Sequence, residues 1–204
     1  MEAHATSALT WLGAIFVPET LNMQPVEVEL LRYPVGNFIR GTKAETPERL
    51  SACIAAIEAF PDNLRAEVFG LNEAQLNTPY RPGGWTVKQV VHHLADSHMN
   101  ALIRFKLALS EDGPTIKPYL QDRWCEQADV ALPVAPSLMI LDGVHLRWVA
   151  LLKSMSAADF DRTYYHPEQQ RSMPLNEVIE LYVWHGRHHL AHVVGANDRN
   201  GGHG

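Results

Sequence analysis

The chain has 204 residues, 46% of them hydrophobic and 20% charged, with a formal net charge of −6. This supplies enough apolar side chain for one buried core, whereas the acidic balance lacks the basic face of nucleic-acid binders. Cys53 and Cys125 are its two cysteines, too few for a disulfide framework or a four-cysteine zinc knot and consistent with a reducing cytoplasm.

The chain opens on an apolar run from Ala8 to Val17, but the first Lys or Arg is Arg32. A run this short, closed by Pro18 and without a basic flank, is neither a membrane span nor a signal peptide. Residues 1–29 therefore read as an extension, the first 22 loosely attached, and Met23 is a candidate biological start. The domain is expected over 30–195 and a flexible tail over 196–204, with neither membrane nor nucleic acid as partner.

Thr46 as N-cap, Pro47 at the first helical position and Glu48 in the first turn open a first helix, with Leu50, Ile54, Ile57 and Phe60 on one face. Pro61 removes one helical hydrogen bond, yet the periodicity resumes at Leu64, Val68 and Leu71, which predicts a bent helix to about Phe69 rather than a break. After the loop Thr78–Gly84, Thr86 caps a second helix to about Ser110, with a stripe of Val87, Val90, Val91, Leu94, Ala101 and Phe105. A proline-punctuated crossover from Glu111 to Pro136 follows, with Tyr119 and Trp124 as its anchors. The third helix is expected from about Ser137 to Met155, carrying Leu138, Leu141, Val144, Leu146, Trp148, Leu151 and Leu152. The fourth begins near Pro174 and continues through Leu175, Val178, Tyr182, His185, His189 and Val193 to Gly195. No alternating strand pattern of useful length is present, so the expected fold is all-α: a four-helix bundle with a long crossover between helices two and three.

Seven of the eleven histidines fall in two of these helices: His92, His93 and His98 on the second, His185, His188, His189 and His192 on the fourth. Neutral imidazole is the commonest ligand of zinc and similar ions, and helical residues four apart stand close enough to share one ion. His185 and His189 share the face of Leu175, Val178, Tyr182 and Val193 and form the first candidate pair. His188 and His192 lie off that stripe, which favours a solvated or supporting role. His92, beside Lys88 and Asp96, reads as solvated. Pattern leaves His93, at the stripe's edge, only slightly ahead of His98, near its centre.

Arg32–Gly36, Thr78–Asn100, Tyr165-His166-Pro167 and Leu181–His185 together resemble the YfiT-like branch of the DinB-like superfamily over about Leu30 to Val194. The resemblance implies a cytoplasmic, commonly dimeric, metal-binding four-helix bundle that acts as a metal-dependent hydrolase. Related members, the bacillithiol-transferase-like proteins, transfer low-molecular-weight thiols to electrophiles. Carried onto this chain, the family's metal ligands fall on His93, His185 and His189.

Three neutral histidines leave a coordination position open for water or substrate. Hydrolysis of a small molecule is the expected chemistry, with one divalent ion per subunit, zinc before nickel, iron or manganese. The same open position could hold a thiolate and support S-transfer instead. A non-catalytic role would call for a fourth protein ligand, for which Cys125 and His98 are the candidates. Gly186 stands where a zinc protease has its glutamate, so peptidase activity is disfavoured. His166, His188 and His192 are candidate proton carriers, and no catalytic side chain is identified.

Overall fold

The computed structural model describes residues 24–199. The extension ahead of Met23, Met23 itself and the tail over 200–204 lie outside the described residues. The elements in order are α1 (Pro25–Arg32), α2 (Pro47–Val68), α3 (Glu73–Leu76), α4 (Val87–Ser110), α5 (Gln121–Trp124), a 3-10 turn (Ala128–Ala131), α6 (Ala135–Ser154), α7 (Ala157–Phe160), β1 (Thr163–His166), β2 (Arg171–Pro174) and α8 (Leu175–Arg199). Helices α2, α4, α6 and α8 are the four read from periodicity.

Their starts follow the capping chemistry in the sequence. Thr46 accepts the Arg49 amide at the head of α2, and Thr86 and Gln89 bond each other's backbone amides at the head of α4. Helix α2 continues through Pro61 without a break. Helix α8 does not stop at Gly195 but runs on to Arg199. Its last turn is held by Asn197 Nδ2 donating to Glu67 O at 3.0 Å and by Arg199 Nη2 donating to Tyr80 O at 2.5 Å.

Two features depart from the sequence reading. Helix α1 occupies part of the segment assigned to the extension, and β1 and β2 pair antiparallel, Thr163 opposite Pro174 and His166 opposite Arg171. Strands of four residues hold too few alternations to register as a period. This hairpin is also held from outside: Ile116 N donates to Tyr165 O at 3.1 Å and Tyr165 N to Pro114 O at 2.8 Å, which ties the crossover to β1.

The extensive helix contacts run α2 to α6, α6 to α4, α4 to α8 and α8 back to α2. Helix α2 is thus diagonal to α4, and α6 to α8, so two of the three connections between successive bundle helices span a diagonal. Apolar burial is divided into two clusters. One gathers Cys53, Ile57, Phe105, Trp148, Leu152 and Tyr182, and the other Phe60, Leu64, Val91, Leu94, Leu141 and Val193. In α4, α6 and α8 several histidines fall between the residues of one cluster and those of the other: the buried His98 between Ala95 and Ala101, the buried His145 between Leu141 and Trp148, and the half-buried His185 and buried His189 between Tyr182 and Val193. A polar layer therefore crosses the middle of an apolar bundle.

Leu146, placed on the apolar stripe of the third helix, is 76% exposed and lies on the outer face with Met139. Among the described residues α6 is also the helix long and apolar enough to cross a membrane, but its Leu141, His145, Trp148 and Leu152 are buried in the bundle.

Candidate metal centre

The candidate ligands His93, His185 and His189 converge. Each offers a ring nitrogen, and the three atoms lie within 4.8 Å of one another. His93 projects from α4 and the other two from adjacent turns of α8, an extensively packed helix pair. His93 Nε2 stands 3.2 Å from His185 Nε2. Two nitrogens bound to one tetrahedral ion at about 2.0–2.1 Å would stand about 3.3–3.4 Å apart, so the donor set fits one. Burial pushes His93 down to about 4, with the His188 field adding to it, and holds His185 and His189 well below the ordinary histidine value. All three rings are neutral at pH 7, the state in which imidazole donates a lone pair to a metal.

Which nitrogen holds that lone pair follows from two hydrogen-bonded chains. His145 Nδ1 lies 2.6 Å from Ile57 O. A carbonyl only accepts, so this nitrogen carries the proton and His145 Nε2 is the acceptor. His98 Nδ1 donates to it at 2.7 Å, and His98 Nε2 then accepts from His185 Nδ1 at 3.2 Å. The lone pair of His185 is left on Nε2, facing His93. The second chain starts at Arg32 O, which accepts from His192 Nε2 at 3.2 Å; His192 Nδ1 accepts from His189 Nδ1 at 3.3 Å, leaving the lone pair of His189 on Nε2. Burial keeps these supporting rings neutral, with His98 well below its usual value, His145 near 4 and His192 near 3. Partners of this kind fix the tautomer and orientation of a metal-binding histidine.

Both terminal carbonyls are free for a reason visible in the sequence. Pro61 has no N–H, so the carbonyl four residues earlier, Ile57 O, has no helical donor. Arg32 closes α1, and the last carbonyls of any helix lack intrahelical partners. The first chain touches all four bundle helices: Ile57 on α2, His145 on α6, His98 on α4 and His185 on α8.

The loop before α4 closes the site from above. Tyr80 N donates to Trp85 O at 3.0 Å across a tight turn in which Gly83 has φ +66°, a backbone region that favours glycine. This turn sets Trp85 4.7 Å from His93 and 6.2 Å from His189, and stacks Tyr80 on His192 at 3.7 Å. Gly186 has its own role: a Cβ there would meet the Phe60 ring at 2.9 Å, so glycine lets α8 approach α2 beside the histidine chain.

Some assignments are corrected. His92 is buried rather than solvated, with its Nε2 donating to Leu132 O at 3.2 Å and its Nδ1 accepting from Ser137 Oγ at 2.7 Å. The crossover covers a helix face that would otherwise be wet. His188 and His192 are likewise buried, under Tyr33, Trp184 and Tyr80. His188, His189 and His192 form a second group with metal-compatible spacing, but two of its rings are already committed to the chain ending at Arg32. His98 does not enter the three-histidine group because its Nε2 is used by His185. Cys125 is not in it either; its thiol is buried and pushed up to about 12. Among the described residues no fourth His, Cys, Asp or Glu completes the group.

His185 also faces a cleft of about 560 Å³ lined by Ser97, Arg104, Tyr119, His166 and Tyr182. Tyr182 Oη donates to Ser97 O at 3.2 Å, and Tyr119 packs on Trp124 at 4.5 Å, as crossover anchors should. His145 and Arg104 escaped the sequence reading. The signal for His145 was its place between Leu141 and Trp148 on a buried stripe, combined with a proline on the facing helix.

The profile of the DinB superfamily matches residues 56–193. The chain belongs to the DinB superfamily. A relative from Geobacillus kaustophilus is 51% identical over 175 residues, covering 85% of this chain and 98% of its own length. One from Bacillus mycoides is 51% identical over 170 residues, covering 83% and 96%. Both carry the name “Putative metal-dependent hydrolase”. Among solved structures, YfiT from Bacillus subtilis is 42% identical, with a TM-score of 0.81 over 85% of this chain and 99% of its own. It is described as “a probable metal-dependent hydrolase with an unusual four-helix bundle topology”, and the diagonal order of α2, α6, α4 and α8 is such a topology.

Proposed function

We propose that the protein is a metal-dependent hydrolase of a small molecule, in which His93, His185 and His189 hold one divalent ion, zinc before nickel, iron or manganese. The observation that carries this reading is a three-nitrogen group of matching spacing whose two α8 members have their tautomers set from behind. The names of the relatives support it. When bound, such an ion supplies Lewis acidity and brings the pKa of a water toward neutrality. The chain's own contribution is positional: the two histidine chains keep lone pairs of α8 aimed at one point, and Trp85 covers one side. The cleft beside His185 admits the substrate from the other. With no fourth protein donor in the group among the described residues, a position remains for chemistry, which favours a catalytic over a purely structural ion.

The test is to load the purified protein with zinc and screen small esters and amides in water enriched in oxygen-18. Labelled product, lost on chelation and restored by metal, is expected. A thioether formed only when a thiol is added would move the reading to S-transfer, and unfolding on chelation would move it to a structural ion. We further propose a two-fold dimer on the outer face of α6, where Met139 and Leu146 are exposed; light scattering at micromolar concentration giving only the monomer mass would reject it.

A further inference from the structure

The cleft beside His185 contains a charge that the hydrolytic reading does not use. Arg104, half-buried on α4, has a buried Nε with no hydrogen-bond partner. Among the described residues no Asp or Glu carboxylate lies within 4.0 Å of its guanidinium, whereas Arg123 on the same cleft wall is paired with Glu126 at 3.1 Å. The Arg104 guanidinium carbon sits 6.0 Å from the centroid of the Tyr119 ring, so an aromatic face lies over part of the cation. The buried Tyr164 phenol accepts a hydrogen bond from the guanidinium, but burial pushes its pKa up, so it is neutral and offers no compensating charge. Glu168 and Asp122 also line the cleft but form no ion pair with Arg104.

A partly desolvated cation without a counter-ion is costly, and native proteins keep one where a ligand will supply the opposite charge. With the Tyr119 ring over its face and the Tyr164 phenol taking one of its donors, the edge that carries the unpartnered Nε–H remains for a ligand. That edge presents donors in a planar fork that matches a carboxylate or phosphoryl group through two parallel hydrogen bonds.

We propose that Arg104 is the anion-holding residue of this cleft, and that the substrate carries a carboxylate or phosphoryl group which docks on it while the reacting end lies toward His185. The second half of this statement rests on the metal-centre reading; the anion site itself does not.

The experiment uses phenylacetate, phenylphosphonate and neutral phenylacetamide as probes, titrated into metal-free and zinc-loaded protein and followed through the Arg104 Nε–H resonance. In wild-type protein both anions are expected to bind and shift that resonance, with the amide at least ten-fold weaker, and the stronger anion identifies which oxyanion the site prefers. R104Q is expected to lose ten-fold or more in anion affinity while retaining helical content and zinc stoichiometry. R104K, a point charge without the fork, is expected to fall between. Equal anion affinity in R104Q, equal binding of the amide, or no shift of the Arg104 resonance with either anion in wild-type protein would overturn the proposal. Anion binding that needs zinc and is indifferent to R104Q would refute this site and leave the metal centre standing. Arg104-dependent binding in a protein that takes up no zinc would do the reverse.

Discussion

The two histidine chains do the same job from very different ground. The one behind His185 runs through the centre of the bundle, with its inner bonds at 2.6 and 2.7 Å and its carbonyl on α2. The one behind His189 has bonds of 3.2 and 3.3 Å and ends on α1, a helix of eight residues whose main packing partner is α8. The first is part of the core and cannot be altered without disturbing it. The second is anchored to a short helix at the edge of the core. A fold can thus set one ligand by packing and its neighbour, four residues away on the same helix, by a strap.

The comparison predicts graded outcomes. Largest is the loss of a ligand itself: His185→Ala or His189→Ala is expected to abolish stoichiometric metal binding, measured by elemental analysis of the purified variants, and unchanged content in either would remove the centre. Next come the supporting rings. His98→Ala is expected to lower metal affinity by about 10–100-fold and, by emptying a fully buried site, to cost about 2–4 kcal/mol in urea unfolding of the metal-free protein. His192→Ala should retain stoichiometric metal and lose affinity on a similar scale, but with an unfolding cost of only about 1–2 kcal/mol. Equal stability losses in the two variants would erase the distinction between core chain and strap.

Acid should act on both. The folded pKa values of His93, His145, His188 and His192, about 4, 4, 4 and 3, lie below the unfolded value of about 6.5. The unfolded chain therefore binds more protons between those limits, so stability is full above about pH 7 and falls as the pH drops from 6.5 toward 4. Asp96 works the other way, since burial raises it to about 6, but it is one group against several. Urea midpoints of the metal-free protein at pH 7.5, 6 and 5 are expected to descend in that order, and a flat series would contradict neutral buried rings.

The smallest effect is the most specific. Pro61→Ala returns an N–H that competes for Ile57 O, and is expected to weaken metal affinity a few-fold at equal or greater stability. A change confined to stability would mean that the freed carbonyl does nothing for His185.

The four long helices were legible because each carries an apolar stripe several turns long, with a capping threonine besides at the heads of α2 and α4, and the i, i+4 pair His185 and His189 was legible from the stripe of α8. Periodicity could not separate His93 from His98, because both rings are 2% exposed. What distinguishes them is reach toward α8, a property of packing. The solvated reading of His92 failed, and of the two roles left open for His188 and His192 the solvated one did, because helical phase reports which face meets other helices and is blind to loops. The crossover, α1 and the Pro79–Thr86 turn cover those faces. The hairpin was hidden by its brevity, and His145 by standing alone, its partner visible only once α2 and α6 are set side by side.

The diagonal order of the bundle has a consequence for how the chain reaches this state. In an up-and-down bundle each helix can dock on the one just made, whereas here α2 waits for α6, and α8 is the last element to reach both α2 and α4. Most helix pairing is therefore between segments distant in sequence, which raises contact order and slows folding relative to a simple bundle of the same helices. Until α8 arrives, the faces of α2 and α4 that it covers stay open, and the nascent chain must carry them exposed until α8 has been made.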